Sequence, residues 1–298
     1  QYPYLLAIFN ISDLSLPEQK LLSIFSLLPV EPILGEKLAK LLLIEKENLG
    51  RFWKDLNLLF RKGWLIKEQD RLVCHALIQE VMRHKLTPDA NCLNDAISFL
   101  NEQFYLAPGY DPLHCKEWLD IGESMLSHTS IKSEPVASLW SRMGIVLGQF
   151  SQFDRAIRFQ RNSLKIAASL KEFKTLASTK NNTGFDYYLA RENSLAKENF
   201  SEAIGILEAH KIDYTYLKMI LKDNLGKVMA RLGEYEKALV LHQEALGYAL
   251  EEYGEEHVFV ARYKNNMSLV YHDLEKYELA IELLESAIEL YIKARGEG

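Results

Sequence analysis

Between Tyr216 and Ile292, apolar positions recur three and four residues apart, halt at a short break and resume, which is the pattern of paired amphipathic helices. The same letters are written twice over this stretch. The first copy reads Asn224-Leu225-Gly226, then Leu232-Gly233-x-Tyr235-x-x-Ala238, then Ala245; the second reads Asn266-Met267-Ser268, Leu274-Glu275-x-Tyr277-x-x-Ala280, then Ala287. Matched positions lie 42 residues apart, a period at which each unit buries its apolar face only against its neighbours. Alanine recurs where two helices must approach closely.

The pattern extends backwards. Stepping 42 residues from Asn224 reaches Asn182, with Gly184, Tyr187, Ala196 and Ala203 in register and Asn193 in place of the tyrosine. A further copy, offset by 40, holds Met143-Gly144, Phe150, Phe153-x-x-Ala156 and Ser163. About four helix–turn–helix repeats are therefore expected over 133–298. Arg295-Gly296-Glu297 repeats the register of Tyr253-Gly254-Glu255, and Gln1 rather than Met heads the chain, so the expectation is a fragment cut before another repeat.

Residues 1–88 follow a different pattern. Ser15 caps a helix with Pro17 in its first turn and Leu21, Leu22, Phe25 and Leu28 inward. Helices are predicted next over Glu36–Leu43 and Leu49–Arg61, the latter closed by Gly63. Two short apolar runs, Trp64-Leu65-Ile66 and Leu72-Val73-Cys74, flank a polar stretch and predict a hairpin, and His75 opens another helix. Three helices and a hairpin make the order of a winged helix. Over 89–132, helices Leu93–Phe104 and Lys116–Leu126 flank a turn cluster, Ala107–Pro112, and form a helical adaptor. The expectation is an all-α fold: a winged helix with a small β-hairpin, the adaptor, and an α-solenoid.

Composition narrows function by exclusion. The 48% apolar content rules out disorder, and no apolar run approaches the roughly 20 residues that span a bilayer. Cys74, Cys92 and Cys115 are widely spaced without any paired motif, which points to buried thiols in a reducing cytoplasm. The net charge is −6, and residues 1–88 carry 12 bases against 10 acids, a weak footprint for nucleic acid. Neither a G-x-x-x-x-G-K-[ST] phosphate loop nor a zinc-ligand spacing nor a nucleophile elbow occurs, so no cofactor and no catalytic residue is assigned, and the chain is not expected to be an enzyme.

The repeat resembles the tetratricopeptide repeat, and more narrowly the 42-residue kind found in kinesin light chains. There Gly-x-x-His-Pro and Val-Ala precede an Asn-Asn-Leu-Ala core; here Gly254, His257, Val260-Ala261 and Asn265-Asn266 hold those places, while Val258 and Met267-Ser268 depart from it. Residues 1–88 resemble the winged-helix domain that follows the nucleotide-binding domain in STAND-class (NB-ARC) signalling ATPases, through Leu21-Leu22-x-x-Phe25-Ser26-Leu27-Leu28-Pro29, Phe60-x-x-x-Trp64-Leu65 and His75-x-Leu77-Ile78-Gln79-Glu80-x-x-Arg83. In that family the histidine at the His75 position touches the β-phosphate of ADP in the closed state; Cys74 and Ala76 replace its usual neighbours. ADP or ATP is expected only with the nucleotide-binding domain that this chain lacks.

In a tetratricopeptide array one face of each leading helix lines a groove. That face carries Asn181, Asn182, Phe185 and Tyr188, then Asp223, Asn224, Lys227 and Arg231, then Arg262, Asn265, Asn266 and His272. Asparagine can donate to and accept from a peptide backbone, and the bases can pair with acidic groups. For Asn182, Asn224 and Asn266 a bridging role between repeats is the equal alternative, with ligand contact favoured for Arg231 and Arg262. The resulting expectation is a regulatory sensor fragment whose partners are a protein or peptide in the groove and its own nucleotide-binding domain, without membrane or nucleic acid. The alternative is a DNA-binding transcriptional regulator whose repeats form the effector domain.

Overall fold

The computed structural model describes residues 10–86, 90–106 and 111–295. The chain divides into two compact units, residues 1–146 and 147–298.

The first unit opens with α1 (Leu16–Phe25), where the Ser15 N–H donates to Glu18 Oε2 at 2.7 Å and Pro17 sits in the first turn. Glu18 is buried, yet Lys62 Nζ lies 2.8 Å from its Oε1. Burial would raise this carboxyl's pKa; the bonds from Lys62 and Ser15 outweigh it and hold it below the usual range.

There follow β1 (Ile33–Leu34), α2 (Gly35–Leu41), α3 (Leu49–Arg61), β2 (Ile66–Glu68), β3 (Arg71–Val73) and α4 (Ala76–Lys85). The strands form one antiparallel sheet in the order β1-β3-β2. The predicted order of helices and hairpin is present, but the first helix ends at Phe25 instead of reaching Leu28, and three further differences stand out. Trp64 and Leu65 are buried ahead of β2 instead of pairing, so Glu68 meets Arg71 across a turn of Gln69 and Asp70 alone. Helix α2 stops at Leu41, because Leu43 turns left-handed at φ 50° and Ile44 N–H closes back on the Ala39 carbonyl. Strand β1 was not expected: two residues are too few to show an alternation.

Helix α3 ends as anticipated, with Gly63 at φ 76° and the Trp64 N–H bonded to the Leu59 carbonyl. The stretch expected to form an adaptor holds α5 (Ala90–Gln103), a 3-10 stretch Pro112–Trp118 where a helix was expected from Lys116, and α6 (Leu119–His128). Of the turn cluster, residues 107–110 lie outside the described residues, as do the Cys92 side chain and the Gly296-Glu297 match. The next helix, α7 (Glu134–Gln149), gives its first three turns to the first unit, where Arg142 donates to the Asn101 carbonyl and Asn101 to that of Pro135.

The second unit is a helical solenoid: α8 (Phe153–Leu170), α9 (Phe173–Leu189), α10 (Asn193–Ala209), α11 (Thr215–Arg231), α12 (Tyr235–Tyr253), α13 (Val258–Asp273) and α14 (Tyr277–Arg295). Helices pair as α9 with α10, α11 with α12 and α13 with α14. The alanines that marked the repeat (Ala156, Ala196, Ala203, Ala238, Ala245, Ala280 and Ala287) are all buried. Each break within a repeat turns on one left-handed residue: Ser151, Arg191, Gly233 and Glu275, at φ 58°, 64°, 77° and 60°. Only one of the four is glycine, whose missing Cβ makes that conformation free of strain. The last helix exposes a stripe of Ile281, Leu284, Ile288 and Ile292, whose counterparts on α12 are Leu239, His242, Leu246 and Leu250.

Candidate protein-interaction site

The twelve residues singled out from the sequence fall on α9, α11 and α13, the leading helices of three successive repeats. Two columns of polar side chains run across them, Asn181–Asp223–Asn265 and Asn182–Asn224–Asn266, each at the 42-residue spacing. The bonds between the columns run diagonally. Asn224 Nδ2 donates to Asn181 Oδ1 at 3.0 Å, and Asn266 Nδ2 donates to Asp223 Oδ1 at 2.6 Å. Asn181 in turn donates to Asn182 Oδ1 at 3.3 Å. Asn224 and Asn266 thus tie neighbouring repeats together, and Asn224 is itself buried.

Asp223 is the hub of this ladder. Its side chain is 1% exposed and receives three donors: Asn266, His242 Nδ1 at 3.0 Å and Lys227 Nζ at 2.7 Å. Burial opposes a charge here, but the hydrogen bonds from His242 and Lys227 and their attraction prevail, lowering its pKa to about 2. Arg262 Nη2 stands 3.8 Å from Asp223 Oδ2 and donates to the Tyr263 hydroxyl at 2.8 Å. Lys227 and Arg262 are therefore partly committed to holding a buried anion.

Arg231, Tyr188 and Phe185 behave differently. Arg231 is exposed; its guanidinium lies 3.4 Å from the centroid of the Tyr188 ring, while Nη1 donates to the Tyr188 carbonyl at 2.7 Å. Phe185 stacks with the same Tyr188 ring, centroids 6.1 Å apart. Phe185 and Tyr188 are half-buried. The three side chains make a ledge with a π surface, an apolar edge and guanidinium donors left over. Asn265 is half-buried beside it in sequence register, and His272 is exposed on the last turn of α13, 3.4 Å from Asp273.

His75 lies in the first unit, exposed, as the N-cap of α4: its Nδ1 accepts from the Leu77 N–H at 3.2 Å. His257 caps α13 in the same way through the Phe259 N–H. Cys74 and Cys115 are buried, and burial raises their thiols to about 12 and about 11, far from a reactive thiolate. No group of metal-ligating side chains is found among the described residues, and no helix among them is long and apolar enough to cross a membrane.

Two buried polar residues escaped the sequence reading. His242 occupies the place of Phe200 one repeat earlier and Leu284 one repeat later, with its ring over Gly226 as that of Phe200 lies over Gly184. Asp186 stands in a column otherwise filled by Val228 and Val270. It is 3% exposed, its Oδ2 lacks a partner, and burial, only partly offset by a bond from Gln160, pushes it up to about 7. A polar residue breaking an apolar column was the available signal in both cases.

Comparison with known proteins agrees with the helical-repeat fold. Residues 218–293 match the tetratricopeptide repeat family. No curated protein matches the sequence. Among solved structures, BtubC (BKLC) of P. vanneervenii is similar at a TM-score of 0.53 and 15% identity, covering 74% of this chain and 85% of its own. A kinesin light chain of Podosopora anserina with nearly identical tetratricopeptide-like repeats reaches 0.54 at 16% identity, covering 67% and 97%. A STAND protein with a tetratricopeptide repeat sensor from Pyrococcus horikoshii aligns at 0.49 and 17% identity, covering 95% of this chain and 52% of its own. Over residues 218–293, then, the chain is similar to tetratricopeptide repeats.

Proposed function

We propose that the repeats bind a protein or peptide across the leading helices α9, α11 and α13, and that the ledge of Phe185, Tyr188 and Arg231 is the anchor. The observation that carries this reading is Arg231: it is exposed, stacked and preorganised, with donors to spare for an acidic side chain. Asn182 and Asn265 flank it with amide groups suited to an extended backbone, and Lys227, Arg262, Asn266 and His272 line the remainder. In the test, an acidic peptide selected against the 298-residue chain is titrated into wild type and into Tyr188→Ala/Arg231→Ala. Binding should fall at least about 10-fold with helicity unchanged, as expected for an interfacial anchor. Undiminished binding by the double variant removes the ledge from the site.

The first unit is read as a winged helix over 1–88 joined by the adaptor at 89–132 to repeats from 133, the regulatory portion of a STAND-type cytoplasmic ATPase in which it holds an absent nucleotide-binding domain closed on ADP. Support comes from the order of helices and strands and from His75 at the head of α4, exposed at its place in the motif. Binding of a trigger to the repeats would then shift a closed–open equilibrium by its differential affinity. If His75 senses nucleotide, His75→Asn in the full-length parent will keep the helix cap and release ADP faster; unchanged ADP retention removes that role.

A second reading, DNA recognition, draws on the exposed Arg51, Lys54 and Arg61 of α3. Its test is a mobility shift at about 150 mM salt, where sequence-selective retention would favour it and weak, salt-sensitive retention would not.

A further inference from the structure

Where one repeat passes to the next, aromatic rings gather at the helix ends. Tyr214 and Tyr216 lie at the start of α11, Tyr253 at the end of α12, and His257 and Phe259 at the start of α13. Their centroids form an unbroken chain: Tyr214 to Tyr216 at 6.4 Å, Tyr216 to Phe259 at 5.9 Å, Phe259 to Tyr253 at 5.4 Å, and Tyr253 to His257 at 4.4 Å. Phe259 also meets the fully buried Tyr263 at 6.4 Å, which roots the cluster in the core of the solenoid. At its outer end Tyr216 and Tyr253 remain 43% and 39% exposed.

The cluster already receives cations from its own chain. Lys174 Nζ sits 4.1 Å from the Tyr214 centroid, and the Arg262 guanidinium lies 4.9 Å from both Phe259 and Tyr263. Among the described residues no cation covers Tyr216 or Tyr253. In the sequence beside these two tyrosines, Asp213, Glu251, Glu252, Glu255 and Glu256 are exposed. Two of the acids have ion pairs, Asp213 with Lys218 at 3.8 Å and Glu256 with Lys293 at 3.4 Å. Burial and the neighbouring charge of Glu252 both raise the Tyr253 phenol.

We propose that Tyr216 and Tyr253 form a second docking surface, a shelf for an arginine side chain of a basic peptide, with Glu252 and Glu255 pairing the guanidinium edge. Arginine suits the shelf better than lysine, because a planar, weakly hydrated guanidinium stacks on a ring while its fork reaches carboxylates. The surface selects the opposite charge from the Arg231 ledge and depends on none of that ledge's residues.

The test uses a hexa-arginine peptide and its neutral citrulline counterpart, titrated at about 150 mM salt so that diffuse attraction is screened beyond a Debye length. Binding is read by calorimetry and by the ring resonances of selectively labelled tyrosine. The arginine peptide should saturate and shift Tyr216 and Tyr253, while the citrulline peptide leaves both still. Tyr216→Ala/Tyr253→Ala should weaken binding about 10-fold or more, whereas Tyr216→Phe/Tyr253→Phe, which keeps the ring faces, should retain it. Arg231→Ala should leave it unchanged, which separates this site from the groove. Equal binding by the double alanine variant, or resonance shifts confined to other tyrosines, overturns the proposal.

Discussion

Asn266 and Asp223, 43 residues apart in the chain, are joined by a 2.6 Å hydrogen bond between the leading helices of adjacent repeats. Removing this donor leaves a buried carboxylate short of one partner, so Asn266→Ala should cost about 1–3 kcal/mol in a urea melt. Acid should expose the same hub. The Asp223 pKa is lowered from 3.8 to about 2, so the stability it contributes is present above pH 4 or so and is lost as pH falls toward 2. Asp223→Asn should flatten that acid limb. A variant with the wild-type acid profile would show that the charge contributes nothing.

Gly226 and His242 make the second prediction. A Cβ on Gly226 would lie 2.8 Å from Cε1 and 2.9 Å from Nε2 of the His242 ring, which Asp223 holds in place. Gly226→Ala should therefore destabilise by about 1–3 kcal/mol through overpacking. In Gly226→Ala/His242→Ala the clash is gone, so the two costs should fail to add in a double-mutant cycle. Additive losses would mean that the ring moves aside freely.

Asp186 turns the pH argument around. Its folded pKa is raised from 3.8 to about 7, so the folded state holds a proton that the unfolded chain has released, and stability falls as pH rises between those values. Asp186→Asn cannot ionise and keeps an acceptor for Gln160. It should match wild type near pH 4 and melt several degrees higher at pH 8. Equal melting at both ends would show that Asp186 carries its charge without penalty.

The left-handed turns supply a fourth. Arg191 and Glu275 adopt φ 64° and 60° where the third repeat has Gly233. Replacing either with glycine relieves Cβ strain and should add up to about 1 kcal/mol, less the extra freedom of the unfolded chain. A lower melting temperature in both variants would indicate that the side chains hold those turns.

What the sequence determined by itself was the local and periodic part. The 42-residue repeat, the alanines at close helix contacts, the Ser15 cap and the Gly63 stop all follow from interactions a few residues long, and each stands where the pattern put it. The repeat register also selected the correct helices for the polar columns. Only the tertiary structure decided how those columns are used, because the bonds Asn224–Asn181 and Asn266–Asp223 cross between repeats by one residue more than the period. The same holds for His242 under Asp223, for Asp186 without a full set of partners, and for β1, which exists only because β3 lies beside it. A side chain's charge state and partner depend on what another segment brings within 3 Å or so, and the spacing of letters along one chain does not carry that distance.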